Sequence, residues 1–206
     1  MVGPWMLALG LAGVFGQKDC PRRATVEQLD REAMACQIRL EEARETARNC
    51  ADASAPTALY RELLQAYSGT EVVLRRDGAR VVVSIPASLL FPADGVEIRR
   101  EAGLVVDLLA TALNLHPEMN AWVVAHTDDV PLPRSLSRAH GDALGLTQAQ
   151  AGALVRVLVG QFKVDAGRLA AAGLGNARPM VANETDGARA KNRRVDVVIG
   201  LAEDWR

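Results

Sequence analysis

The sequence is poor in cysteine, and this excludes two classes of small protein. Only three cysteines occur among 206 residues, Cys20, Cys36 and Cys50. They are too few and too scattered for a fold held together by disulfides or for a zinc cluster. The composition, 49% hydrophobic and 24% charged, instead suits one globular domain with an extension.

Net charge is also nearly absent. The 24 basic residues and 25 acidic residues leave a formal net charge of −1 at pH 7. No overall basic field therefore attracts nucleic acid or an anionic membrane surface. We expect no nucleic-acid partner, and any anionic ligand must be held by local side chains.

The first 16 residues, "MVGPWMLALGLAGVFG", carry no charge. An apolar stretch of this length suits the core of a signal peptide better than a membrane span, which needs ~20 residues. Lys18, Arg22 and Arg23 follow the stretch and no basic residue precedes it, the reverse of an ordinary export signal. We predict a signal peptide at residues 1–16, with an uncleaved anchor as the alternative.

Residues 24–67 are predicted to form a helical coiled-coil stalk. Small or apolar residues recur there at alternating steps of three and four, which is a heptad seam. The seam consists of Val26, Leu29, Ala33, Cys36, Leu40, Ala43, Ala47 and Cys50. Its two cysteines would lie about 21 Å apart on one helix, too far for a bond within the chain. Interchain disulfides in a parallel homodimer and simple burial of two small side chains both remain open.

From residue 70 the hydrophobic period changes to that of an α+β domain. "TEVVLRR" and "ARVVVSI" flank the turn pair Asp77-Gly78 and predict a β-hairpin. Helical spacing at 97–115 and 147–161 alternates with strand patterns at 120–126, 168–174 and 193–201. This order predicts a two-layer sandwich over residues 70–202, a mixed sheet with two helices on one face. We place the domain boundary near residues 68 and 69.

"AWVVAHTDDVP" runs from a buried strand into His126 and two adjacent acids, Asp128 and Asp129. A metal site would need a second cluster, but His116 and His140 have no ligand-like spacing to this motif. Paired carboxylates can serve acid–base chemistry, yet no nucleophile, phosphate loop or third partner accompanies them. We therefore expect no metal, no cofactor and no catalysis. Carboxylates that accept backbone hydrogen bonds in a turn are the simplest interpretation, and we favour it for Asp129.

A second polar motif precedes the last strand. In "ANETDGARAKNRRVDVVI" the run Asn192-Arg193-Arg194 leads directly into a strand, so one arginine must point to each face of the sheet. A guanidinium at the helix-covered side needs a carboxylate, either from the protein or from a ligand.

These motifs resemble the OmpA-like C-terminal, peptidoglycan-binding domain over about residues 70 to 200. The resemblance is carried by "LLFPADGVEIRREAGLVVDLLATAL", "VVAHTDDVP" and "RLAAAGLGNARPMVANETDGARAKNRRVDVVI". "HTDDVP" with its long following loop is most similar to the MotB-type branch. The resemblance implies a periplasmic domain of a Gram-negative bacterium that binds the diaminopimelate of the peptidoglycan stem peptide.

Residue by residue, the resemblance implies that Asp128 binds the amino group of diaminopimelate and that Arg193 binds its carboxylate. Thr127, Asn192 and Gln150 accompany them as expected ligand-binding residues. A second arginine, in the following helix, does not carry over, because Gln150 occupies its position. In that register Thr147 and Gln150 form a capping box that would begin the helix. A rival register through "SLSRAH" makes Arg138 the helix arginine.

The expected function is a non-catalytic cell-envelope protein that binds peptidoglycan and carries a dimerising stalk. Gln for Arg predicts roughly 10- to 100-fold weaker capture of a carboxylate, unless Arg134 or Arg138 restores the charge. The alternative is a degenerate OmpA-like domain that has lost the ligand and serves as a protein-interaction or scaffold module.

Overall fold

The computed structural model describes residues 23–52, 55–93 and 95–201. The predicted signal peptide or anchor at residues 1–16 lies outside the described residues. The chain divides into two compact units, Met1–Cys50 and Ala51–Arg206.

One long helix, α1, spans Arg23–Asp52 and makes up the described part of the first unit as far as Cys50. Alanine and the long charged residues of this segment are good helix formers, and no proline interrupts them. The seam residues whose side chains are described, Leu29, Ala33, Cys36, Leu40 and Ala43, are all exposed. The side chain of Cys50 lies outside the described part. An exposed apolar seam is what a coiled coil would cover, and the homodimer stays a prediction.

The second unit combines five strands and six α-helices among its described residues. The helices are α2 (Ala55–Ala66), α3 (Ala87–Leu90), α4 (Gly103–Leu115), α5 (Arg134–His140), α6 (Ala143–Gly160) and α7 (Asp186–Asn192). The strands are β1 (Val73–Asp77), β2 (Arg80–Pro86), β3 (Met119–His126), β4 (Leu169–Gly173) and β5 (Arg194–Leu201).

The strands form a mixed sheet in the order β1-β2-β5-β3-β4. Strands β3 and β4 are parallel, and the other neighbours are antiparallel. The α+β class and the mixed sheet are confirmed. The hairpin turn lies one residue later than predicted, because Asp77 pairs with Arg80. Gly78, with φ +59°, then supplies the positive φ that a two-residue hairpin turn needs.

The core lies between the helices and one face of the sheet. Alternate residues of β2, β3 and β5 are fully buried there, among them Val83, Val123 and Val197. Helices α2, α4 and α6 contribute further buried side chains to the same core. The apolar face of each strand is thus covered by helices, as the period-2 pattern requires. Helix α6 is also apolar and long enough to span a membrane, but it packs against β3 and β4.

Helix α2 places the domain boundary earlier than the sequence indicated. Leu59 and Leu63 of α2 are buried in the core of the globular unit, and so is Tyr67 just after it. The Tyr67 hydroxyl also donates a hydrogen bond of 2.7 Å to the carbonyl of Val105 in α4. The division near residue 50 therefore replaces the predicted boundary at residues 68 and 69, and α2 is not part of a stalk.

Helix α6 begins four residues before the predicted capping box. Asp142 is its N-cap, and its carboxylate accepts a hydrogen bond of 2.9 Å from the amide of Gly145. Thr147 lies inside the helix and donates its hydroxyl to the carbonyl of Ala143, one turn earlier. The prediction that Thr147 begins the helix is wrong because Asp142 is itself a strong N-cap residue.

Candidate ligand-binding pocket

The candidate site is built at the end of β3, where the buried strand turns into a loop. The strand continues the buried alternation through Ala125 and ends at His126. The amide of Thr127 donates a hydrogen bond of 3.0 Å to the carbonyl of Gly175. This bond connects the loop to the segment after β4. Thr127 and Asp128 are consequently buried, at 8% and 5% exposure, although both follow the strand.

Asp128 holds two partners with its two carboxylate oxygens. One oxygen accepts a hydrogen bond of 3.2 Å from the amide of Val130, so Asp128 makes the backbone bond in the turn that was expected of Asp129. The other accepts a hydrogen bond from the guanidinium of Arg193. A buried carboxylate must be paired or hydrogen-bonded, and here both conditions are met.

Arg193 joins the site from a distant part of the sequence. It is the C-cap of α7 and lies directly before β5. Its carbonyl accepts a hydrogen bond of 2.9 Å from the amide of Ala87 at the start of α3. Its side chain is 46% exposed. The guanidinium on the helix-covered side thus finds its carboxylate within the protein, while Arg194 takes the other face.

The Asp128–Arg193 pair opens into a cavity of about 470 Å³. The apolar part of the wall comes from α3, α5, α6 and the loop after β3. It includes Phe91, Leu132, Leu136 and Leu146. A polar pair beside a largely apolar wall is the usual composition of a small-ligand site.

In addition to Asp128, three of the predicted ligand residues line this cavity. They are Thr127, Gln150 and Arg193. Gln150 lies on α6 and is 8% exposed. The structure therefore brings four of the five predicted residues to one place.

Asn192 is the exception, since it does not line the cavity. It is fully buried, and its side-chain oxygen accepts hydrogen bonds from the amides of Met180 and Val181. Its side-chain nitrogen donates to the carbonyl of Val181 and to Asn183. Because both ends of the amide are engaged, Asn192 holds the loop before α7 rather than facing a ligand.

Arg134 and Arg138, the expected substitutes for the missing helix arginine, are both exposed and do not line the cavity. They share one face of α5 at a spacing of four residues. Leu136 points to the opposite side and is buried against the cavity. Gln150 therefore faces the ion pair in the register preferred from the sequence, and Arg138 does not.

His126 lies between the cavity and a buried ionic cluster on the other face of the sheet. Its Nε2 atom is 3.5 Å from a carboxylate oxygen of Asp196, which also pairs with Arg194 at 3.1 Å. The hydroxyl of Ser84 donates a hydrogen bond of 2.6 Å to the same carboxylate. Burial, and next the charge of Arg194, lower the pKa of His126 to about 4, against the opposing effect of Asp196. The imidazole is therefore neutral at pH 7.

Asp129 differs from its neighbour. Its side chain is 52% exposed and lies 3.5 Å from Arg189 of α7. It does not line the cavity. Of the two adjacent acids, only Asp128 belongs to the pocket.

One lining cation was not predicted from the sequence. Arg99 lies before α4 and lines the cavity. It lies within the sequence "FPADGVEIRR", at the start of the helical spacing predicted for 97–115, and such spacing does not show that its side chain lines this cavity. Among the residues that the structure describes, no group of three His, Cys, Asp or Glu side chains is arranged to hold a metal ion.

Known proteins resemble this chain in sequence and in fold. The sequence pattern of the OmpA family matches residues 90–193, about half of the chain. The protein YiaD of Escherichia coli (strain K12) is 27% identical over 131 residues, which cover 64% of this chain and 56% of YiaD. The chain spans about half the length of the curated relatives it matches.

Solved structures share the fold. A MotB-like protein from Desulfovibrio vulgaris matches with a TM-score of 0.67 and 26% identity, covering 71% of this chain and 91% of that chain. The cell wall anchor of the T6SS from Pseudomonas aeruginosa matches with a TM-score of 0.63 and 26% identity, covering 69% and 96%. These likenesses confirm the two-layer fold and the similarity to the MotB-type branch.

Proposed function

The chain belongs to the OmpA family, and on this premise we propose that it is a non-catalytic cell-envelope protein that binds peptidoglycan. The ligand group is the diaminopimelate of the stem peptide, held in the cavity at the end of β3. The observation that carries the proposal is the pairing of buried Asp128 with half-exposed Arg193 at this cavity.

The chemistry of diaminopimelate fits this pair. The free end of its side chain carries an ammonium and a carboxylate on one carbon atom. A carboxylate and a guanidinium side by side complement both groups, and hydrogen bonds between charged partners are about twice as strong as neutral ones. Because Val130 fixes Asp128 while Arg193 is half exposed, the arginine can shift to the ligand's carboxylate as the ammonium approaches the acid.

The rest of the cavity suits the remainder of such a ligand. Diaminopimelate carries its two charged ends on a short methylene chain, which prefers an apolar wall. Phe91, Leu132, Leu136 and Leu146 provide that wall. The volume of about 470 Å³ lies within the range of small-ligand sites.

The proposed location is the periplasm of a Gram-negative bacterium, where peptidoglycan is accessible. A solved relative is itself described as a cell wall anchor. The exposed seam of α1, which includes Leu29, Cys36 and Leu40, supports a stalk that pairs with a second copy. The stalk would then set the distance between the wall and the structure to which the N-terminal part is attached.

A second candidate function rests on Gln150. A neutral amide in place of the family's helix arginine removes one charged contact to the ligand's carboxylate. A domain that had lost affinity in this way would serve as a protein-interaction or scaffold module instead. The retained Asp128–Arg193 pair favours the first function over this one.

Sedimentation of the full chain with purified diaminopimelate-type peptidoglycan tests the proposal. We expect wild type to sediment with the wall, and Asp128→Ala to lose about 10- to 100-fold in affinity because a charged contact is removed. Asp129→Ala is the matched control, since this neighbouring acid lies outside the cavity. Gln150→Arg should bind more tightly than wild type.

The two functions predict opposite outcomes for wild type. Retention of wild type and of Asp129→Ala, together with loss of Asp128→Ala, would support peptidoglycan binding. Absence of wild-type retention, with binding gained by Gln150→Arg, would support the scaffold function and end the first proposal.

A further inference from the structure

The charged groups among the described residues of the cavity lining do not balance. These residues include one carboxylate, Asp128, and two guanidiniums, Arg193 and Arg99. Asp128 and Arg193 compensate each other in their ion pair. The lining histidine, His126, is neutral at pH 7. Among the described lining residues, Arg99 is therefore a cation that no second lining carboxylate compensates.

Arg99 and Arg193 both form hydrogen bonds with helix α3. Its amide donates a hydrogen bond of 2.8 Å to the carbonyl of Leu90, and its guanidinium donates one of 3.0 Å to the carbonyl of Ser88. Both acceptors belong to α3, whose first residue, Ala87, hydrogen-bonds the carbonyl of Arg193. The short helix α3 thus connects the two arginines at one edge of the cavity.

The guanidinium of Arg99 retains donors for a ligand. An arginine side chain has five N–H donors, and one of them is used by Ser88. Its Nε atom lies 3.7 Å from Glu101, a carboxylate that is 76% exposed. An ion pair of that length between exposed groups is weak, so it does not prevent Arg99 from binding a ligand's anion.

Other sources of positive charge are directed elsewhere. Helix α6 presents the neutral Gln150 to the cavity, and Arg134 and Arg138 lie on the far face of α5. Among the described lining residues, Arg99 and Arg193 are the two cationic side chains. A ligand that brings a carboxylate together with its ammonium matches this arrangement of one acid and two guanidiniums.

We propose that Arg99 is a ligand-binding residue that supplies the second cation for the carboxylate of the bound peptide. Arg99 takes over the charge that α6 lacks at Gln150, approaching from α3 on another wall of the cavity. This inference rests on the proposed function of the pocket. It assigns the ammonium to Asp128 and the carboxylate jointly to Arg193 and Arg99.

Calorimetric titration of the full chain with two soluble stem tripeptides tests the assignment. One tripeptide ends in meso-diaminopimelate, and the other ends in lysine, which lacks the side-chain carboxylate. We expect Arg99→Gln to weaken binding of the diaminopimelate peptide about tenfold and to leave binding of the lysine peptide unchanged. Arg100→Gln is the matched control, because this adjacent exposed arginine does not line the cavity.

The same titration separates this inference from the proposed function. If Asp128→Ala abolishes binding and Arg99→Gln binds the diaminopimelate peptide like wild type, the role of Arg99 is overturned and the proposed function stands. If wild type binds neither the peptide nor intact peptidoglycan, both are overturned.

A structural role for Arg99 has its own signature. Equal losses for both peptides in Arg99→Gln would indicate that the variant has disturbed α3, and would overturn the charge assignment. A loss confined to the diaminopimelate peptide would support it, because only that peptide carries the side-chain carboxylate. Thermal unfolding of each variant establishes that it is folded.

Discussion

Adjacent residues in the loop after β3 have different roles because the strand and its hydrogen bonds fix their directions. Asp128 is 5% exposed and faces the cavity, whereas Asp129 is half exposed and lies beside Arg189. The bond from the Thr127 amide to Gly175 sets this direction. The sequence "HTDD" alone does not distinguish the two acids. The family resemblance selects Asp128, which the structure places at the cavity, and its role toward a ligand stays a prediction.

His126 gives the globular unit a stability that depends on pH. The pKa of this buried histidine is about 4 in the folded protein, and a histidine in an unfolded chain titrates near 6.5. Between these values the unfolded state binds more protons, so its population rises as the pH falls. The contribution is complete above pH 6.5, and we expect a loss of about 2 kcal/mol between pH 7.5 and pH 5.

Urea denaturation at pH 7.5 and pH 5 measures this contribution. In His126→Gln the difference between the two pH values should shrink by the same amount, because the other titrating groups contribute equally in both proteins. His140→Gln, at the end of α5, is the control and should keep the wild-type difference. An unchanged pH dependence in His126→Gln would show that this histidine does not titrate with an altered pKa.

The elements that the sequence predicted were those with a clear hydrophobic period. The hairpin, α4, β3, α6 and β5 all bury alternate or helically spaced apolar residues, and each was predicted. Helix α4 begins at Gly103, six residues later than predicted, and the other bounds differ by at most four residues. Helices α5 and α7 have seven residues each and few buried side chains, so no period identified them. A capping signal did exist for α7, since Thr185 accepts a hydrogen bond from the amide of Ala188. The site was predictable where one motif carried it, and Arg99 was not, because its place depends on tertiary packing.

Strand β4 and helix α6 approach each other closely near the pocket. A Cβ atom on Gly173 would lie 2.2 Å from the amide nitrogen of Gln148 and 2.6 Å from the Thr147 hydroxyl. That hydroxyl accepts a hydrogen bond of 2.9 Å from the amide of Gly175, whose carbonyl in turn holds Thr127. The small size of residue 173 therefore also positions the loop that carries Asp128.

Gly173→Ala should consequently destabilise the protein and weaken ligand binding together. Because the clash is with backbone, the strand and helix must separate, and we expect a cost of about 3 kcal/mol. Thermal unfolding and peptidoglycan sedimentation measure the two effects. Gly160→Ala, at the end of α6 with open space around its Cβ, is the control and should be neutral. A fully stable Gly173→Ala protein would show that this contact is looser than the structure describes.

The globular unit begins with helix α2, which precedes the first strand of the sheet. The sequence predicts one stalk over residues 24–67, because α1 and α2 both have helical spacing. The structure separates them by burial. The described seam side chains of α1 are exposed, whereas Leu59 and Leu63 of α2 are at most 1% exposed. Local pattern could not reveal that the second helix covers the same sheet as α4 and α6.

This division predicts how truncated chains behave. Residues 51–206 should unfold in urea with the same stability as the full chain, whereas residues 70–206 should be several kcal/mol less stable, because the core loses three large buried side chains. Within the full chain, Leu63→Ala should cost about 3 kcal/mol. Leu64→Ala is the matched control, since Leu64 is 52% exposed and its truncation should change stability by less than about 0.5 kcal/mol. If residues 70–206 proved as stable as residues 51–206, α2 would belong to the stalk, and the boundary would lie at residues 68 and 69 as the sequence predicts.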